Sequence, residues 1–577
     1  MGYGLRVDFD IPATMRDGTV LRANIFRPDA PGDFPVALTR TPYGKDFATS
    51  NPILDAVRLA RAGYIVIIQD CRGRFASEGT WFPFRHEGED GYDTVEWAAA
   101  LPGSNGRVGM FGASYSGFTQ WATAMQNPPH LYALVPAITW ADALDGITWR
   151  GGAAELGTSI YWYLSILGLE LLLRRQRGAP PMEQIKAVRA LVQEIDNLRT
   201  QGYWSLPLNQ FAPLRNHDLH EAFVELIAGW DMPDAYAHVS PASAHDRIRT
   251  PAFNIGGWYD IFTQGTLDNY TALSAAGPTP ESRQARLLMG PWSHLQNTNV
   301  VGEMDFGFAS NLNWINVQFG LTDLTARWFD YWLKGIENGV TQEPPVKLFI
   351  MGDNVWRDEK EWPLARTRYT NWYLQGARGL ALDKPDDGDD SPPDQYTYDP
   401  ANPTPTNGGA LLMNPLYHAG VYDQRETEAR PDGLSYTSAP LERDAEVTGQ
   451  IVCKLWAASD APDTDFVARL VDVHPDGFAQ NLVDGIIRAR YRNGNTPELL
   501  EPGRPYELTI DLWSTANVFK KGHRIRLDIC SANFPRWDRN HNTGALFGTD
   551  TTFCVAHQTV FHDAEHPSHV VLPMIPT

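Results

Sequence analysis

The residues of this chain that most clearly suggest catalysis are Gly112, Ser114 and Gly117, which lie in the segment Gly-Ala-Ser-Tyr-Ser-Gly. A short apolar run leads into Gly112, and the residues after Ser114 can form a helix. This order predicts a sharp strand-to-helix turn that exposes one serine hydroxyl, a nucleophile elbow. Glycine at both flanking positions would let the backbone pass without Cβ clashes. Ser116 stands where the commoner Gly-x-Ser-x-Gly motif has its second glycine, so the motif alone leaves an ordinary turn as an equal interpretation.

A serine nucleophile needs a base, and the base needs a carboxylate that fixes its tautomer. Two downstream segments each combine a strand-like run, a glycine turn and a polar residue, which is Asp260 in the first and His294 in the second. The chain order serine, acid, histidine is that of α/β-hydrolases. Because the carboxyl ends of parallel strands meet at one edge of a sheet, we predict a catalytic triad of Ser114, Asp260 and His294.

Other polar residues fit these roles less well. Ser116 is displaced from the elbow, His86 lies in a charged stretch, and His238 and His245 precede the strand that they would have to follow. Asp70 follows a strand but precedes the nucleophile in the chain, so an ion-pair role is the better interpretation.

An oxyanion hole requires two hydrogen-bond donors. The backbone amide of Tyr115 is one candidate because it directly follows the nucleophile. The loop after the predicted strand 35–41 carries the other candidate, Tyr43, since a neutral phenol can donate a hydrogen bond to a developing alkoxide. The alternative for Tyr43 alone is a packing role at a turn.

The elements that must position these groups alternate between strands and helices. Strands are predicted at 20–27, 35–41, 64–69, from Val108 onward, 134–139, 252–255 and 285–289, and helices at 56–62 and 90–100. Such alternation indicates a parallel sheet with helices on both faces. Between these two groups of strands, helices are predicted at 165–177, 182–197 and 221–227, which indicates a helical insertion.

The last third of the chain has a different pattern. Short strands are predicted at 447–456, 465–473, 485–491, 506–512, 523–529 and 569–572, and the Asp-, Pro- and Gly-rich segment 383–405 is predicted to be a solvated loop. This spacing favours a sandwich or jelly roll. We therefore predict an α/β-hydrolase catalytic domain of residues 1–144 and 241–354, a helical cap of residues 145–240, and a jelly-roll β domain of residues 355–577.

Composition narrows the classes of partner. The 577 residues carry a formal net charge of −21, which disfavours nucleic acid and anionic membranes. No signal peptide is apparent and the apolar run 161–173 is short for a membrane span, so we expect a cytoplasmic protein. The four cysteines lack metal-ligand spacing, and we expect no metal and no cofactor. Pairing through the cap helices or the β-domain edges, and thus a homodimer, is compatible with the sequence.

Several segments together resemble one enzyme family. They are Arg-Thr-Pro-Tyr at 40–43, Gln-Asp-Cys-Arg-Gly-Arg-Phe-Ala-Ser-Glu-Gly at 69–79, Gly-Met-Phe-Gly-Ala-Ser-Tyr-Ser-Gly at 109–117, Gly-Trp-Tyr-Asp at 257–260, Gly-Pro-Trp-Ser-His at 290–294, and parts of 464–477. The chain resembles the family of bacterial cocaine esterases, X-prolyl dipeptidyl peptidases, α-amino acid ester hydrolases and glutaryl acylases. The resemblance implies an α/β-hydrolase core, an inserted helical cap and a C-terminal jelly roll. It also implies that Ser114 is the nucleophile, His294 the base and Asp260 its orienter, with Tyr43 and Tyr115 in the oxyanion hole.

The resemblance further implies an aromatic acyl pocket. Trp149, Trp162 and Phe262 match the pocket positions of the cocaine esterases by local spacing, although Arg150 follows Trp149 where the esterase is aromatic. The α-amino acid ester hydrolases carry extra carboxylates just after the catalytic aspartate, whereas Ile-Phe-Thr-Gln follows Asp260 here. A substrate ammonium would be desolvated there without a partner, unless the cap supplied a carboxylate.

These observations lead to one expected function and two kinds of alternative. We expect a serine carboxylesterase that hydrolyses small-molecule esters with an apolar, aromatic acyl group through an acyl-enzyme. An amidase, acylase, X-Pro dipeptidyl peptidase or α-amino acid ester hydrolase on the same scaffold is the first alternative. A ligand-binding protein with an inert triad is the second.

Overall fold

The computed structural model describes residues 2–48, 53–227, 233–386 and 391–576 of the chain. The chain begins with two antiparallel strands and then alternates strands with helices. These elements are β1 (Leu5–Thr14), β2 (Val20–Pro28), β3 (Phe34–Thr41), α1 (Ala56–Arg61), β4 (Ile65–Asp70), α2 (Glu87–Ala99), β5 (Ser104–Ala113), α3 (Tyr115–Met125) and β6 (Leu131–Ala137). All six residues of β4 are buried, as in a parallel strand with both faces covered by helices.

The inserted segment that follows is mostly helical. It contains the hairpin β7 (Trp149–Arg150) and β8 (Ala153–Ala154), then α4 (Leu156–Tyr161), a π-helical segment (Trp162–Leu167), α5 (Gly168–Arg175), α6 (Pro181–Asp196), α7 (Ala212–Arg215) and α8 (His220–Ile227), with short 3₁₀ turns at Gly202–Trp204, Leu208–Gln210, Pro233–Val239 and Pro241–Ala244. By length and composition alone, Leu156–Arg175 is long and apolar enough to cross a membrane, but 56% of its apolar window is buried inside the protein. From the sequence, the apolar run 161–173 was expected to be too short for a membrane span. That expectation overlooked residues 156–160, which extend the helix toward the N-terminus.

The chain then returns to the first sheet. The elements are β9 (Phe253–Tyr259), α9 (Thr263–Ala276), a 3₁₀ turn (Ser282–Gln284), β10 (Arg286–Ser293), β11 (Val300–Val301), β12 (Met304–Asp305), a 3₁₀ turn (Phe308–Ser310), α10 (Leu321–Lys334), β13 (Val346–Ile350) and β14 (Val355–Glu359). The strand order is β1-β2-β4-β3-β5-β6-β9-β10-β13-β14. Neighbours from β4 to β13 are parallel, and the pairs at the two edges are antiparallel. The core is therefore an α/β-hydrolase sheet, and β5, β9 and β10 end at the same edge.

The last strand of this sheet lies beyond the domain boundary drawn from the sequence. β14 begins at Val355 and pairs with β13 along its whole length, from Val346 opposite Glu359 to Ile350 opposite Val355. A boundary at residue 354 would cut this hairpin, because it falls in the turn between the two strands.

The remaining strands form a β-rich C-terminal domain. They are β15 (Arg368–Gln375), β16 (Gly379–Ala381), β17 (Asp394–Tyr398), β18 (Gly433–Thr437), β19 (Ala445–Ser459), β20 (Asp465–Val473), β21 (Ala479–Arg488), β22 (Tyr506–Phe519), β23 (Arg524–Cys530), β24 (Ala556–Val560) and β25 (His569–Met574), accompanied by α11 (Arg425–Glu428) and 3₁₀ turns at Gly376–Arg378 and Ala489–Tyr491. Among the described residues, these strands pair antiparallel except for β16 with β18. The predicted loop 383–405 contains β17, because Tyr396 and Tyr398 are buried while the strand pairs with β24. Residues 387–390 of that loop lie outside the described residues.

One apolar core joins the two domains. It includes Trp258 of β9 and Phe349 of β13 together with Leu512 of β22. The contact is also polar, since the Tyr259 hydroxyl donates to the carbonyl of Asn481 at 2.9 Å. The C-terminal domain therefore supports the strand that leads directly into Asp260.

Candidate active site

Ser114 lies at a strained turn between β5 and α3. Its backbone has φ 58° and ψ −123°, which a non-glycine residue adopts only when the surrounding structure holds it there. A Cβ on Gly112 would lie 2.6 Å from the Cβ of Ser116, and one on Gly117 would lie 2.8 Å from the Cβ of Thr139. Both glycines are thus required by close contacts, and the buried Ser116 belongs to the support of the turn.

The three residues of the predicted triad form one chain of hydrogen bonds. The Nε2 atom of His294 lies 3.0 Å from the Oγ atom of Ser114, and its Nδ1 atom lies 2.7 Å from Oδ2 of Asp260. Asp260 is fully buried, and its Oδ1 atom accepts the backbone N–H of Phe262 at 2.7 Å. With Nδ1–H donated to Asp260, Nε2 is free to accept the serine proton, which is the tautomer that a general base requires.

The two donors predicted for an oxyanion hole, Tyr115 and Tyr43, line the same cavity as Ser114. Tyr115 is the first residue of α3, so its N–H has no acceptor within the helix and lies at the positive end of the helix dipole. The hydroxyl of Tyr43 accepts the indole N–H of Trp162 at 3.0 Å. Burial raises the pKa of Tyr43 to about 12, so the phenol stays protonated near neutral pH.

The side chain of Tyr115 is anchored at its far end. Its hydroxyl donates to Oε1 of Glu87 at 2.8 Å and accepts the backbone N–H of Phe84 at 3.0 Å. Glu87 in turn pairs with the fully buried Arg40, with 2.8 Å between Oε2 and Nη1. Burial, reinforced by the charge of Glu87, raises the pKa of Tyr115 well above its usual value. This network holds Tyr115, the residue that directly follows Ser114, in place.

The loop that carries Tyr43 is tied to the cap. The Nε atom of the buried Arg74 donates to the carbonyl of Pro42 at 2.8 Å. The Nη1 atom of Arg74 also pairs with Oε2 of Glu170 in α5 at 2.9 Å, and Oε1 of Glu170 accepts the N–H of Phe75 at 3.0 Å. Arg74 therefore connects the loop of Tyr43 with a cap helix.

Ser114 opens on a cavity with mostly apolar walls. The cap, the core and the C-terminal domain all contribute to it. The lining residues are Tyr43, Phe84, Ser114, Tyr115, Trp140, Ile147, Thr148, Thr158, Ser159, Trp162, Ile261, Phe262 and Leu412. No lining residue within the described part of the chain carries a formal charge, so the cavity favours uncharged, apolar groups.

The predicted pocket residues are only partly brought together. Trp162 and Phe262 line the cavity, and the ring of Phe262 meets that of His294 edge-on at 5.5 Å. Trp149 does not line the cavity but packs against Phe547, with 4.6 Å between ring centroids. Ile147 and Thr148 line the cavity, whereas Trp149, the first residue of β7, faces away from it. Sequence spacing could not distinguish Trp149 from these two neighbours.

Arg150, next in the chain, is directed into the C-terminal domain. Its guanidinium lies 3.7 Å from the ring centroid of Trp513, and its Nη1 atom lies 3.6 Å from Oδ1 of Asp484. Arg150 therefore does not replace an aromatic wall of the cavity, since it has a separate buried role.

Two aromatic walls were missed from the sequence. Trp140 follows β6 at the sheet edge that carries the site. This position after a strand could have identified Trp140 as a pocket residue from the sequence. Phe84 lies in the segment between β4 and α2, stacks on Tyr115 at 5.0 Å and lies parallel to Trp162 at 5.8 Å. Nothing local in the sequence distinguishes Phe84 from a core residue, because its place in the cavity depends on the cap above it.

The competing polar residues are occupied elsewhere. Asp70 accepts the backbone N–H of Lys45 at 2.6 Å, and its Oδ2 atom lies 3.6 Å from the Lys45 Nζ atom. Burial raises the pKa of Asp70 to about 6. His245 pairs with Asn269 at 2.8 Å. Neither group contacts the hydrogen-bonded chain at Ser114.

A serine at a strained elbow, linked through a histidine to an aspartate on a mostly parallel sheet, defines this protein as a serine hydrolase of the α/β-hydrolase fold. Comparison with known proteins gives the family. Residues 17–296 match the model of the X-Pro dipeptidyl-peptidase (S15) family, and residues 338–571 match that of the X-Pro dipeptidyl-peptidase C-terminal non-catalytic domain. The chain belongs to this family, which includes a cocaine esterase from Rhodococcus that is 36% identical over 98% of both chains.

Further relatives extend over nearly the whole chain. A putative serine esterase of Mycobacterium tuberculosis is 25% identical over 97% of this chain and 94% of its own. The crystal structure of an aminopeptidase from a Thaumarchaeota archaeon has a TM-score of 0.77 at 25% identity and covers 100% of this chain and 97% of its own. The structure of an α-amino acid ester hydrolase shares the fold, with a TM-score of 0.78 at 24% identity over 99% of this chain and 97% of that one.

Proposed function

We propose that this protein is a carboxylesterase that hydrolyses esters with an apolar, aromatic acyl group through an acyl-enzyme. The observation that carries the proposal is the position of Ser114, which is hydrogen-bonded to His294 and opens on an uncharged cavity with aromatic walls. The 36% identity to a protein named cocaine esterase supports ester rather than amide substrates.

Acylation follows from the hydrogen-bonded chain. Oγ of Ser114 attacks the ester carbonyl while Nε2 of His294 takes its proton. Asp260 accepts the Nδ1–H hydrogen bond and so stabilises the imidazolium. The carbonyl oxygen becomes an oxyanion that accepts hydrogen bonds from the N–H of Tyr115 and the hydroxyl of Tyr43. His294 then gives its proton to the departing alcohol, and the acyl group remains on Ser114.

Deacylation reverses the proton path. Water enters the position vacated by the alcohol, and His294 removes a proton from it as it attacks the acyl-enzyme. The same two donors stabilise the second oxyanion. When the intermediate collapses, His294 returns the proton to Ser114 and the carboxylic acid leaves.

The cavity walls determine which acyl group is favoured. Trp140, Trp162 and Phe262 offer edges and faces against which a flat ring can pack, and each such contact is worth about 0.5–1.5 kcal/mol beyond burial. An ammonium on the acyl group would lose its hydration next to these rings without a carboxylate partner in the described lining, at a cost of several kcal/mol. The preference therefore concerns both shape and charge.

The test compares acyl groups on one leaving alcohol. We expect kcat/KM for a phenyl or nitrophenyl benzoate to exceed that for the corresponding acetate, and both to exceed that for a phenylglycyl ester with a free ammonium. Ser114→Ala protein should lose hydrolysis, and only protein with an intact Ser114 should be labelled stoichiometrically by a fluorophosphonate. Preference for the ammonium-bearing ester would contradict the acyl-group proposal, and absence of labelling would favour an inert binder.

A second candidate is peptide or amide hydrolysis, which the X-Pro dipeptidyl-peptidase family model favours. An X-Pro-nitroanilide tests it directly beside the benzoate. We expect a much lower kcat/KM on the anilide. A higher value would replace the esterase proposal with this one.

A further inference from the structure

The C-terminal domain contains a cluster of ligating side chains that the hydrolytic mechanism does not use. It consists of Asp472, His474 and His523, whose candidate ligand atoms all lie within 4.8 Å of one another. The three residues come from β20, from the turn that follows it, and from the residue before β23.

The register of the sheet explains why these side chains meet. β20 and β23 are antiparallel, with Asp472 opposite Ile525 and Val473 opposite Arg524. The next pair in this register is His474 opposite His523, and their ring centroids are 4.4 Å apart. Side chains alternate along a strand, so Asp472 lies on the same face as His474, diagonal to His523.

Neighbouring groups hold two of these side chains in place. The Oδ1 atom of the buried Asp472 lies 2.8 Å from Nδ1 of His523, and its Oδ2 atom accepts a hydrogen bond from Asn517 at 3.3 Å. Nε2 of His474 lies 3.2 Å from the side-chain oxygen of Gln480. The contacts with Asn517 and Gln480 come from outside the cluster, and such contacts fix the orientation of a ligand before an ion arrives.

We propose that Asp472, His474 and His523 form a binding site for a divalent transition metal ion, with Zn²⁺ as the best match. Two imidazole nitrogens and one carboxylate oxygen are a typical zinc ligand set, and a tetrahedral ion would have its fourth position open to water. Mg²⁺ and Ca²⁺ prefer oxygen ligands and fit less well. Both histidines are partly exposed, so an ion can reach them from solvent.

The site would act on stability rather than on the chemistry at Ser114. Gln480 lies opposite Asp472 on β21, and its amide donates to the hydroxyl of Tyr259 at 3.4 Å. Tyr259 immediately precedes Asp260 and bonds to the C-terminal domain through Asn481. An ion at the cluster would therefore tighten the contact between the two domains.

The proposal is tested by metal content and thermal stability of the full chain. Protein treated with a chelator and then equilibrated with a slight excess of zinc chloride should retain one Zn²⁺ per chain after gel filtration, and its Tm should rise. Co²⁺ in place of Zn²⁺ should give the visible absorption of a tetrahedral ion. His474→Gln should weaken binding more than about tenfold and abolish the Tm increase, since it removes a ligand from the partly exposed side of the cluster.

The matched control is His130→Gln, which alters another partly exposed histidine beside a carboxylate, Glu96. Its zinc content and Tm increase should equal those of the unchanged protein. The Tm of His474→Gln without metal reports whether that variant folds, and Asp472→Asn provides a second ligand variant. Wild-type zinc retention in the ligand variants, or no stoichiometric retention in the unchanged protein, would overturn the proposal and leave Asp472 and His523 as a structural pair. Neither result depends on esterase activity.

Discussion

At the scale of single residues, two tyrosines beside the nucleophile have different proposed roles. Tyr43 would donate its hydroxyl to the oxyanion, whereas Tyr115 would use its backbone N–H and keeps its hydroxyl on Glu87. A Tyr→Phe substitution removes only the hydroxyl. The two Tyr→Phe variants therefore have different expected effects. At Tyr43 the substitution would remove a donor of the oxyanion hole, whereas at Tyr115 it would remove only the hydroxyl that anchors the side chain.

We expect Tyr43→Phe to lower kcat on a benzoate ester by about 10²–10³-fold with little change in KM, because one preorganised donor is lost. Steady-state kinetics of the purified variant provide the measurement. Tyr115→Phe is the matched control and should lower kcat by less than about tenfold, since its N–H remains. Equal losses in both variants would show that the Tyr43 hydroxyl has no special part in the reaction.

Asp145 gives a prediction about pH. Burial raises its pKa to about 7, although the carboxylate accepts the indole N–H of Trp513 at 3.2 Å. A folded-state pKa above the unfolded value of 3.8 means that the native state binds the proton more tightly. Its contribution to stability is therefore present at low pH and is lost as pH rises from about 4 to about 7.

Asp145→Asn keeps an acceptor for Trp513 but removes this titration. Below about pH 4 the free energy of unfolding should be similar in both proteins, and the variant should become the more stable one as pH rises, by about 2–4 kcal/mol at pH 8. Denaturant unfolding at several pH values measures the difference. A difference that stays constant from pH 5 to pH 8 would disprove the assigned titration.

At the scale of elements, the cap is held to the core by a few specific contacts. Arg74 is 1% exposed and joins the loop of Tyr43 to Glu170 of α5. By contrast, Arg85 and Glu225 form a pair whose side chains are 47% and 52% exposed. Water and salt screen the second pair but not the first, so their energetic weights should differ.

Glu170→Gln should destabilise the protein by about 2–4 kcal/mol and raise KM for ester substrates, because it leaves a buried guanidinium without its charged partner. Thermal unfolding and limited proteolysis of the cap measure the effect. Glu225→Gln serves as the control and should cost less than about 1 kcal/mol. If the two variants lose equal stability, Arg74 does not secure the cap.

At the scale of the whole molecule, the C-terminal domain completes the core and the cap. Asp484 of β21 accepts a hydrogen bond from the buried Arg536 at 2.6 Å and lies near Arg150 of the cap hairpin. Leu412 of the same domain contributes to the cavity at Ser114. The domain is therefore part of the structure that defines the site.

Asp484→Asn should lower the free energy of unfolding by about 3–5 kcal/mol, because two buried cations lose their shared carboxylate. Since the same residues brace β7, esterase activity should decline together with the stability of the C-terminal domain. Unfolding followed by far-ultraviolet circular dichroism and by esterase activity should give coincident transitions. Activity that survives after the β domain has unfolded would contradict this dependence.

The features that could be predicted from the sequence are those that depend on residues close together in the chain. The glycine pattern around Ser114 and the positions of Asp260 and His294 just after apolar runs depend on strands that a short window can identify. The α/β-hydrolase class and the β-rich C-terminal part were predicted correctly. The edge strands β1 and β14 were missed because only one residue of each is buried, so neither shows the continuous apolar run of an inner strand. The strand β17 was missed because it pairs with β24, which is distant in the chain. The side-chain directions of Trp149 and Phe84 could not be predicted for a similar reason. That of Trp149 depends on the hairpin β7–β8, and the place of Phe84 in the cavity depends on the cap.

The π-helical segment that begins at Trp162 has a consequence for engineering. One indole forms a wall of the cavity through its ring and touches the Tyr43 hydroxyl through its N–H. Replacing this residue to admit a bulkier acid would also remove a donor that polarises the phenol. Selectivity and turnover are thus coupled at this position, and a library that varies Trp140 or Phe262 should broaden the accepted acids with a smaller loss of rate.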